Sequence, residues 1–176
     1  MQTYKLAFCF FLMIIAISLF AVQDEDVPQA LKDLALHDAA CVSTADAPGS
    51  DAPILAALPI RVGSHELGTI VTVHGSCHCQ GPNCDALVYL RQGEQYKLEL
   101  HEKYASLHPM KIVKRGMPSL TGKFEIGAAK METTVYDWDG KGYRPSLCAT
   151  VTKNGRVPTI ARHPCRAPAQ IDDRAQ

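Results

Sequence analysis

The sequence predicts a mainly β protein: a small antiparallel domain, meander- or blade-like or else sandwich-like, with an N-terminal helix and disulfide staples. Three observations support this class. Apolar and polar residues alternate in several stretches of residues 69–151, as they do in antiparallel strands with one buried face. Glycine-containing turns separate these stretches. Downstream of an apolar leader the chain holds six cysteines, an even number that indicates a disulfide framework.

The composition is that of one globular domain. The chain has 176 residues, of which 47% are hydrophobic and 20% charged, and these values exclude collagen-like and strongly disordered proteins. The 18 basic and 18 acidic side chains cancel, so no global charge favours nucleic acid as a partner. Residues 22–66 nevertheless carry eight acidic against two basic side chains, and residues 67–176 carry fifteen basic against ten acidic. We expect either an acidic arm on a basic body or, more simply, a solvated tail.

Residues 1–21 are predicted to be a signal peptide. Lys5 is the single charged side chain ahead of a run from Leu6 to Val22 that is apolar except for Ser18, which is the layout of a secretory signal. Cleavage is expected after Ala21. A retained anchor is the alternative, although the run is at the short end of the roughly 17–25 residues that span a bilayer. We therefore expect a secreted or periplasmic protein with no membrane span after cleavage.

Residues 22–58 are predicted to form an acidic helical arm and a linker. The helix is expected over Pro28 to Ala40, because proline suits a first helical turn and because Leu31, Leu34 and Ala35 share one helical face. The rest of this segment is rich in small residues, proline and aspartate, which is typical of a loop.

Residues 59–166 are predicted to form the β domain. Strands are expected over 69–74, 86–90 and 96–100, and Gly93 marks a hairpin between the last two. The strand over 96–100 alternates strictly, so Tyr96, Leu98 and Leu100 are predicted to share one face. Further strands are expected over 111–114 (a short edge strand), 124–128, 133–138 and 143–151, and residues 167–176 are predicted to be a disordered tail.

The run Tyr136 to Tyr143 (YDWDGKGY) predicts a tight hairpin. Asp139 and Gly140 suit a reverse turn, and Gly142 is expected to permit a bulge. Two functional interpretations stand beside the hairpin. Asp137 and Asp139 are possible Ca²⁺ ligands, but the carboxylates are too few for a complete loop. The aromatic residues form a candidate binding patch, consisting of Tyr136, Trp138 and Tyr143.

Six cysteines are candidates for disulfides: Cys41, Cys77, Cys79, Cys84, Cys148 and Cys165. The turn Gly81-Pro82-Asn83 favours a local bridge between Cys79 and Cys84. Cys77 would then pair with a distant cysteine, and the sequence leaves open which one.

A metal site is the alternative use of the cysteine-rich segment. Thiolate and imidazole ligands suit Zn or Cu(I), and the candidates are His74, Cys77, His78 and Cys79. The spacing C-x-C-x4-C differs from the C-x2-C knuckle of structural zinc sites, and an oxidising compartment converts thiols into disulfides. Disulfides are therefore the favoured interpretation, and no cofactor is expected.

No catalytic residue is predicted. The histidines are scattered, the serines lack the G-x-S-x-G motif, and paired cysteines leave no thiolate nucleophile. A hydrolase built from carboxylates that meet only in the folded protein stays an open alternative.

The two distinctive segments together resemble a group of secreted bacterial proteins without an established activity. The resemblance rests on G-S-C-x-C followed by G-x-N-C at residues 75–84, the apolar strand ALVYL, and Y-D-W-D-G-x-x-Y at residues 136–143. The hairpin is also loosely similar to blades of VCBS and FG-GAP propellers, although the chain is too short for a full propeller. The resemblance implies a β fold and export, and implies no chemistry.

The predicted function is that of an exported, non-enzymatic binding module of the cell envelope, with a protein or a glycan as ligand. An inhibitor of a secreted hydrolase such as lysozyme is one subclass, but the basic body would repel a basic enzyme. The alternatives from other classes are a periplasmic Zn- or Cu-binding protein and the carboxylate hydrolase.

Overall fold

The protein consists of two antiparallel sheets and one helix in a computed structural model that describes residues 27–39, 52–153 and 157–165. The predicted signal peptide, Cys41 and the predicted disordered tail lie outside the described residues. The fold class predicted from the sequence is confirmed, and the sandwich-like and meander descriptions both apply.

The first sheet contains five strands: β1 (Ile54–Val62), β2 (His65–His74), β3 (Cys79–Gln80), β4 (Asn83–Gln92) and β5 (Gln95–Tyr104). Strand β4 is central, with β2 along one edge and β5 along the other, and β1 lies outside β2. The short β3 pairs with the first two residues of β4. Gly93, with φ +66°, forms the predicted hairpin between β4 and β5.

The second sheet is a meander of the remaining strands: β6 (Ser106–Lys114), β7 (Met117–Gly127), β8 (Lys130–Trp138), β9 (Tyr143–Thr152) and β10 (Thr159–His163). Its strands follow one another in chain order across the sheet, so β6 and β10 are the edges. The predicted edge strand at 111–114 is the end of the longer β6.

The main core lies between the two sheets. Ala86, Val88 and Leu90 from β4 pack there, together with Leu120 and Tyr136 from the second sheet. Two tyrosines close this core: Tyr104 and Tyr136 meet edge to face, and their hydroxyl groups are 2.6 Å apart.

A second core lies on the other face of the first sheet, beneath helix α1 (Gln29–Asp38). Leu31 and Ala35 of α1 are fully buried against Leu87 and Tyr89 of β4. Leu34, predicted on the same face, is instead 37% exposed. The Tyr89 hydroxyl donates to Asp38 Oδ2 at 2.8 Å. Because β4 is buried on both faces, its sequence is continuously apolar from Ala86 to Leu90 instead of alternating.

The strand over 96–100 differs from the prediction that its apolar residues share one face. Val88 pairs with Leu100 and Tyr89 with Leu98, so Glu99 is an extra residue in a β-bulge. Tyr96 and Leu98 pack on the helix side, whereas Leu100 lies in the core between the sheets. The bulge shifts the alternation by one residue, which reverses the faces beyond it.

Two further predictions need correction. Strand β1 begins at Ile54, so the boundary between linker and β domain predicted after residue 58 falls inside a strand. Pro59 lies within this strand, and an edge strand such as β1 tolerates proline. The bulge near the aromatic hairpin lies at Ser146 of β9 and not at Gly142, since Val135 pairs with Leu147 and Tyr136 with Pro145.

Within the described ranges, no helix has both the length and the apolar character needed to cross a membrane.

Candidate functional site: a cleft beside Trp138

An open cleft of about 490 Å³ lies at one end of the sandwich, where the β4–β5 hairpin approaches the turn between β8 and β9. Residues from β2, β4, β5, β7 and β8 contribute to it, so its wall comes from both sheets. The lining residues are Glu66, Leu67, Leu90, Arg91, Gln92, Gly93, Lys97, Glu99, Met117, Trp138, Gly140 and Lys141.

Trp138 is the aromatic side chain of this cleft. It is the last residue of β8 and pairs with Tyr143 at the start of β9, and the two rings meet edge to face with centroids 5.3 Å apart. The indole is half-buried, with Leu90 and Met117 as its apolar neighbours along the cleft wall. It therefore packs on the core while part of its surface stays open to a ligand.

The other two aromatic residues of the predicted binding patch are core residues. Tyr136 and Tyr143 are only 3% and 1% exposed. Burial raises the pKa of both hydroxyl groups, and the Tyr143 hydroxyl donates to the Pro118 carbonyl at 3.0 Å. Of the predicted patch, only Trp138 can contact a ligand.

Glu99 enters the cleft because of the bulge in β5. Its side chain is 8% exposed, and Oε1 lies 3.1 Å from the Lys97 ammonium. On its other side the chain approaches Gly142, where an added Cβ would lie 3.3 Å from Glu99 Oε2. The absence of a side chain at Gly142 thus allows Glu99 to approach closely, whereas the sequence predicted that Gly142 would permit a bulge.

The second carboxylate of the cleft, Glu66, is paired as well. Arg61 Nη2 lies 3.3 Å from Glu66 Oε2. Two cations complete the polar lining. Arg91 donates through Nε to the Gly93 carbonyl at 3.0 Å, and Lys141 projects from the turn between β8 and β9.

The predicted metal ligands are arranged differently from the expectation. Cys79 and Cys84 form a disulfide between paired residues of β3 and β4, as the turn predicted, and Cys77 is disulfide-bonded too. His78 faces Asp85. Potential ligand atoms of His74, Cys79 and Cys84 lie within 4.8 Å of one another. Disulfide sulfurs are not thiolates, so this trio lacks the ligand chemistry of a metal site while the bridge is intact.

The remaining bridge joins Cys148 of β9 to Cys165, just after β10. It ties the end of the described chain to the second sheet. Together the bridges agree with the predicted disulfide framework for every cysteine in the described residues.

A buried network around Asp85 was not predicted. The carboxylate is 6% exposed and lies 3.2 Å from His78 Nδ1, 3.2 Å from His101 Nε2 and 2.9 Å from Lys103 Nζ. Burial raises the pKa of Asp85, but the hydrogen bonds from Lys103, His78 and His101 outweigh burial and hold the pKa below its usual value. Lys103 also donates to the His78 carbonyl at 2.8 Å, so the network clamps the cysteine-rich turn to β5.

The proposed calcium ligands are engaged by protein groups. Asp137 accepts hydrogen bonds from Lys114 and from the Ser119 hydroxyl. Asp139 Oδ1 accepts from the backbone N–H groups of Lys141 and Gly142 at 2.7 and 2.9 Å. Both carboxylates therefore stabilise the hairpin.

No sequence pattern indicates the cleft as a unit, because its charged residues come from four separate segments. The most visible signals are charged residues at the ends of apolar strands, such as Arg91 after ALVYL. No protein-family model matches the chain, and neither a curated protein nor a solved structure matches it at a significant level.

Proposed function

We propose that this protein is an exported, non-enzymatic binding module of the cell envelope and that it holds a glycan in the cleft beside Trp138. Export is supported by the predicted leader, by the resemblance to secreted bacterial proteins, and by a disulfide framework suited to an oxidising compartment.

The observation that carries the proposal is a half-buried tryptophan in a cleft with polar walls. The volume of about 490 Å³ falls in the range of roughly 300–1,000 Å³ typical of small-molecule sites. One face of a sugar ring is apolar and packs on an indole, while its hydroxyl groups need hydrogen-bond partners. Glu66, Gln92 and Arg91 supply such partners around Trp138.

A protein ligand is less well supported. Stable protein interfaces bury about 800 Å² on each partner and are centred on several apolar anchors. Here Trp138 is the only ligand-accessible member of the predicted aromatic patch, since Tyr136 and Tyr143 are buried.

The test uses the fact that Trp138 is the only tryptophan of the chain. We expect envelope-type oligosaccharides, such as chitotetraose and soluble peptidoglycan fragments, to change its fluorescence saturably. Calorimetry should give the same affinity and should show its loss in Trp138→Leu. Phe124→Leu is the matched control, because Phe124 packs on the same core but does not line the cleft. Absence of both signals across the panel, with capture of an envelope protein instead, would overturn the glycan proposal.

A hydrolase is the second candidate, because Glu66 and Glu99 line the same cleft. Glycoside hydrolysis commonly uses two carboxylates that flank the scissile bond. Release of reducing ends from any bound oligosaccharide, abolished in both Glu66→Gln and Glu99→Gln, would establish this activity. Binding without turnover supports the module.

A metal-binding role would require reduction of the Cys79–Cys84 bridge. Metal analysis of the protein purified without chelator, before and after reduction of this bridge, separates this candidate from the others. Stoichiometric Zn or Cu that disappears in His74→Ala would favour the metal role.

A further inference from the structure

We infer that the ligand of the cleft is an acidic saccharide, whose carboxylate binds Arg91 and Lys141 while a sugar ring packs on Trp138. The inference rests on the proposed glycan-binding function and adds the chemical class of the sugar.

Among the described residues, the acidic side chains that line the cleft have ion-pair partners, whereas two of its basic side chains do not. Glu66 is matched by Arg61 at 3.3 Å, and Glu99 by Lys97 at 3.1 Å. Within the described part of the chain, neither Arg91 nor Lys141 has a carboxylate at ion-pair distance. The two carboxylates are thus already compensated, and two cations are left for a ligand.

Arg91 is oriented by one hydrogen bond that leaves most of its N–H donors available. Its Nε donates to the Gly93 carbonyl at 3.0 Å within the tight β4–β5 hairpin. A guanidinium carries five N–H donors, so this single bond orients the group and leaves donors for a carboxylate. A planar, pre-oriented guanidinium is well suited to bidentate carboxylate binding.

Lys141 is positioned by the turn between β8 and β9. Asp139 Oδ1 accepts hydrogen bonds from the backbone N–H groups of Lys141 and Gly142, which orders the turn next to Trp138. The ammonium group therefore extends from a fixed backbone beside the indole that would carry the sugar ring.

A neutral sugar would use only part of this site. Charge-assisted hydrogen bonds are roughly twice as strong as neutral ones, so a carboxylate gains more from Arg91 and Lys141 than a hydroxyl group does. The attraction lies at an exposed site and should weaken as salt screens it.

The experiment compares matched ligands that differ only in charge. Tetragalacturonate and its methyl ester are titrated into the intact protein, with Trp138 fluorescence and calorimetry as readouts. A second pair, N-acetylmuramic acid and its amide, repeats the comparison. We expect the acid to bind at least about tenfold more tightly than the neutral form at low salt, with the preference declining at about 0.5 M salt.

Variants then assign the preference to the two cations. Arg91→Gln and Lys141→Gln should each reduce acid binding several-fold and reduce the affinity for the ester by a clearly smaller factor, so that the preference for the acid shrinks. Lys111→Gln, an exposed lysine outside the cleft, is the control. Equal affinity for acid and ester, or a preference that survives both substitutions, would overturn the acidic-ligand inference alone. If no saccharide, charged or neutral, produces a Trp138-dependent signal, the proposed function itself fails.

Discussion

The Asn83 side chain pairs with the backbone of Glu125 in both directions. Its Nδ2 donates to the Glu125 carbonyl at 2.8 Å, and its Oδ1 accepts from the Glu125 N–H at 2.7 Å. Asn83 begins β4 in the first sheet and Glu125 lies in β7 of the second, so one amide joins the two sheets. The junction lies at the end of β4 opposite the cleft, where it fixes the sheets relative to each other.

Asn83→Ala should therefore destabilise the protein. Asn83 is 2% exposed, and the substitution removes both hydrogen bonds to Glu125 and a longer one to the Gln80 carbonyl, which leaves the Glu125 backbone groups without this partner. We expect the free energy of unfolding to fall by about 2 kcal/mol, measured by urea denaturation. Gln80→Ala, at an exposed neighbouring position, should have little effect. An equal decrease in the free energy of unfolding in the two variants would show that the hydrogen bonds between Asn83 and Glu125 do not stabilise the protein.

The hairpins were predictable because their causes are local. Gly93 permits the left-handed backbone that a two-residue turn needs. The Asp139 side chain organises the second turn, together with Gly140. The Cys79–Cys84 bridge belongs to the same class, since the turn between the two cysteines brings them together. Such features depend on a few neighbouring residues, all visible in the sequence.

The cleft and the Asp85 network were not predictable, because they depend on register between distant strands. The bulge at Glu99 shifts one strand by a single residue, and no local signal in YKLEL announces it. Likewise, Asp85 meets His101 and Lys103 only because β4 and β5 pair in this register. The one visible hint was a carboxylate at the start of a continuously apolar strand, where an unpaired charge would be costly.

Gly122 is predicted to be intolerant of any side chain. A Cβ at this position would lie 2.5 Å from Cζ of Tyr104, whose ring is buried in the core between the sheets. Gly122→Ala should lower the free energy of unfolding by about 1–3 kcal/mol, because a packed core responds to added volume by straining. Gly127→Ala is the control in the same strand, since a Cβ there would meet open space.

The overpacking mechanism can be separated from a loss of glycine's backbone freedom. In a Tyr104→Leu background the steric conflict is relieved, so adding Gly122→Ala should cost clearly less than it does in the wild type. An unchanged cost in that background would contradict the contact between Gly122 and Tyr104.

The Asp85 network should make the free energy of unfolding depend on pH in the acidic range. Because hydrogen bonds hold the pKa of the folded carboxyl below the unfolded value of 3.8, the unfolded chain takes up the proton more readily. The stabilisation is therefore complete above the unfolded pKa and is lost as the pH falls below it towards the folded pKa. Asp137 and Asp139 also have lowered pKa values, so their contributions to stability are likewise lost as the pH falls.

Urea unfolding between about pH 5 and about pH 2.5 tests this. The free energy of unfolding should fall more steeply for the wild type than for Asp85→Asn, so the gap between them narrows in acid. Glu94→Gln, in the exposed β4–β5 turn, controls for the removal of one carboxylate. Parallel pH curves for the wild type and Asp85→Asn would exclude Asp85 as a source of acid sensitivity.

The Cys148–Cys165 and Cys79–Cys84 disulfides should contribute unequally to the free energy of unfolding. The Cys148–Cys165 bridge spans 17 residues of sequence and Cys79–Cys84 spans 5. A longer closed loop restricts the unfolded chain more, so replacing the first pair with serine should cost about 3 kcal/mol and replacing the second about 2 kcal/mol. Urea denaturation under non-reducing conditions gives both values. Limited proteolysis should cut near β10 faster only when Cys148–Cys165 is absent, because that bridge anchors this edge strand to β9; equal cutting in both variants would contradict the assigned role.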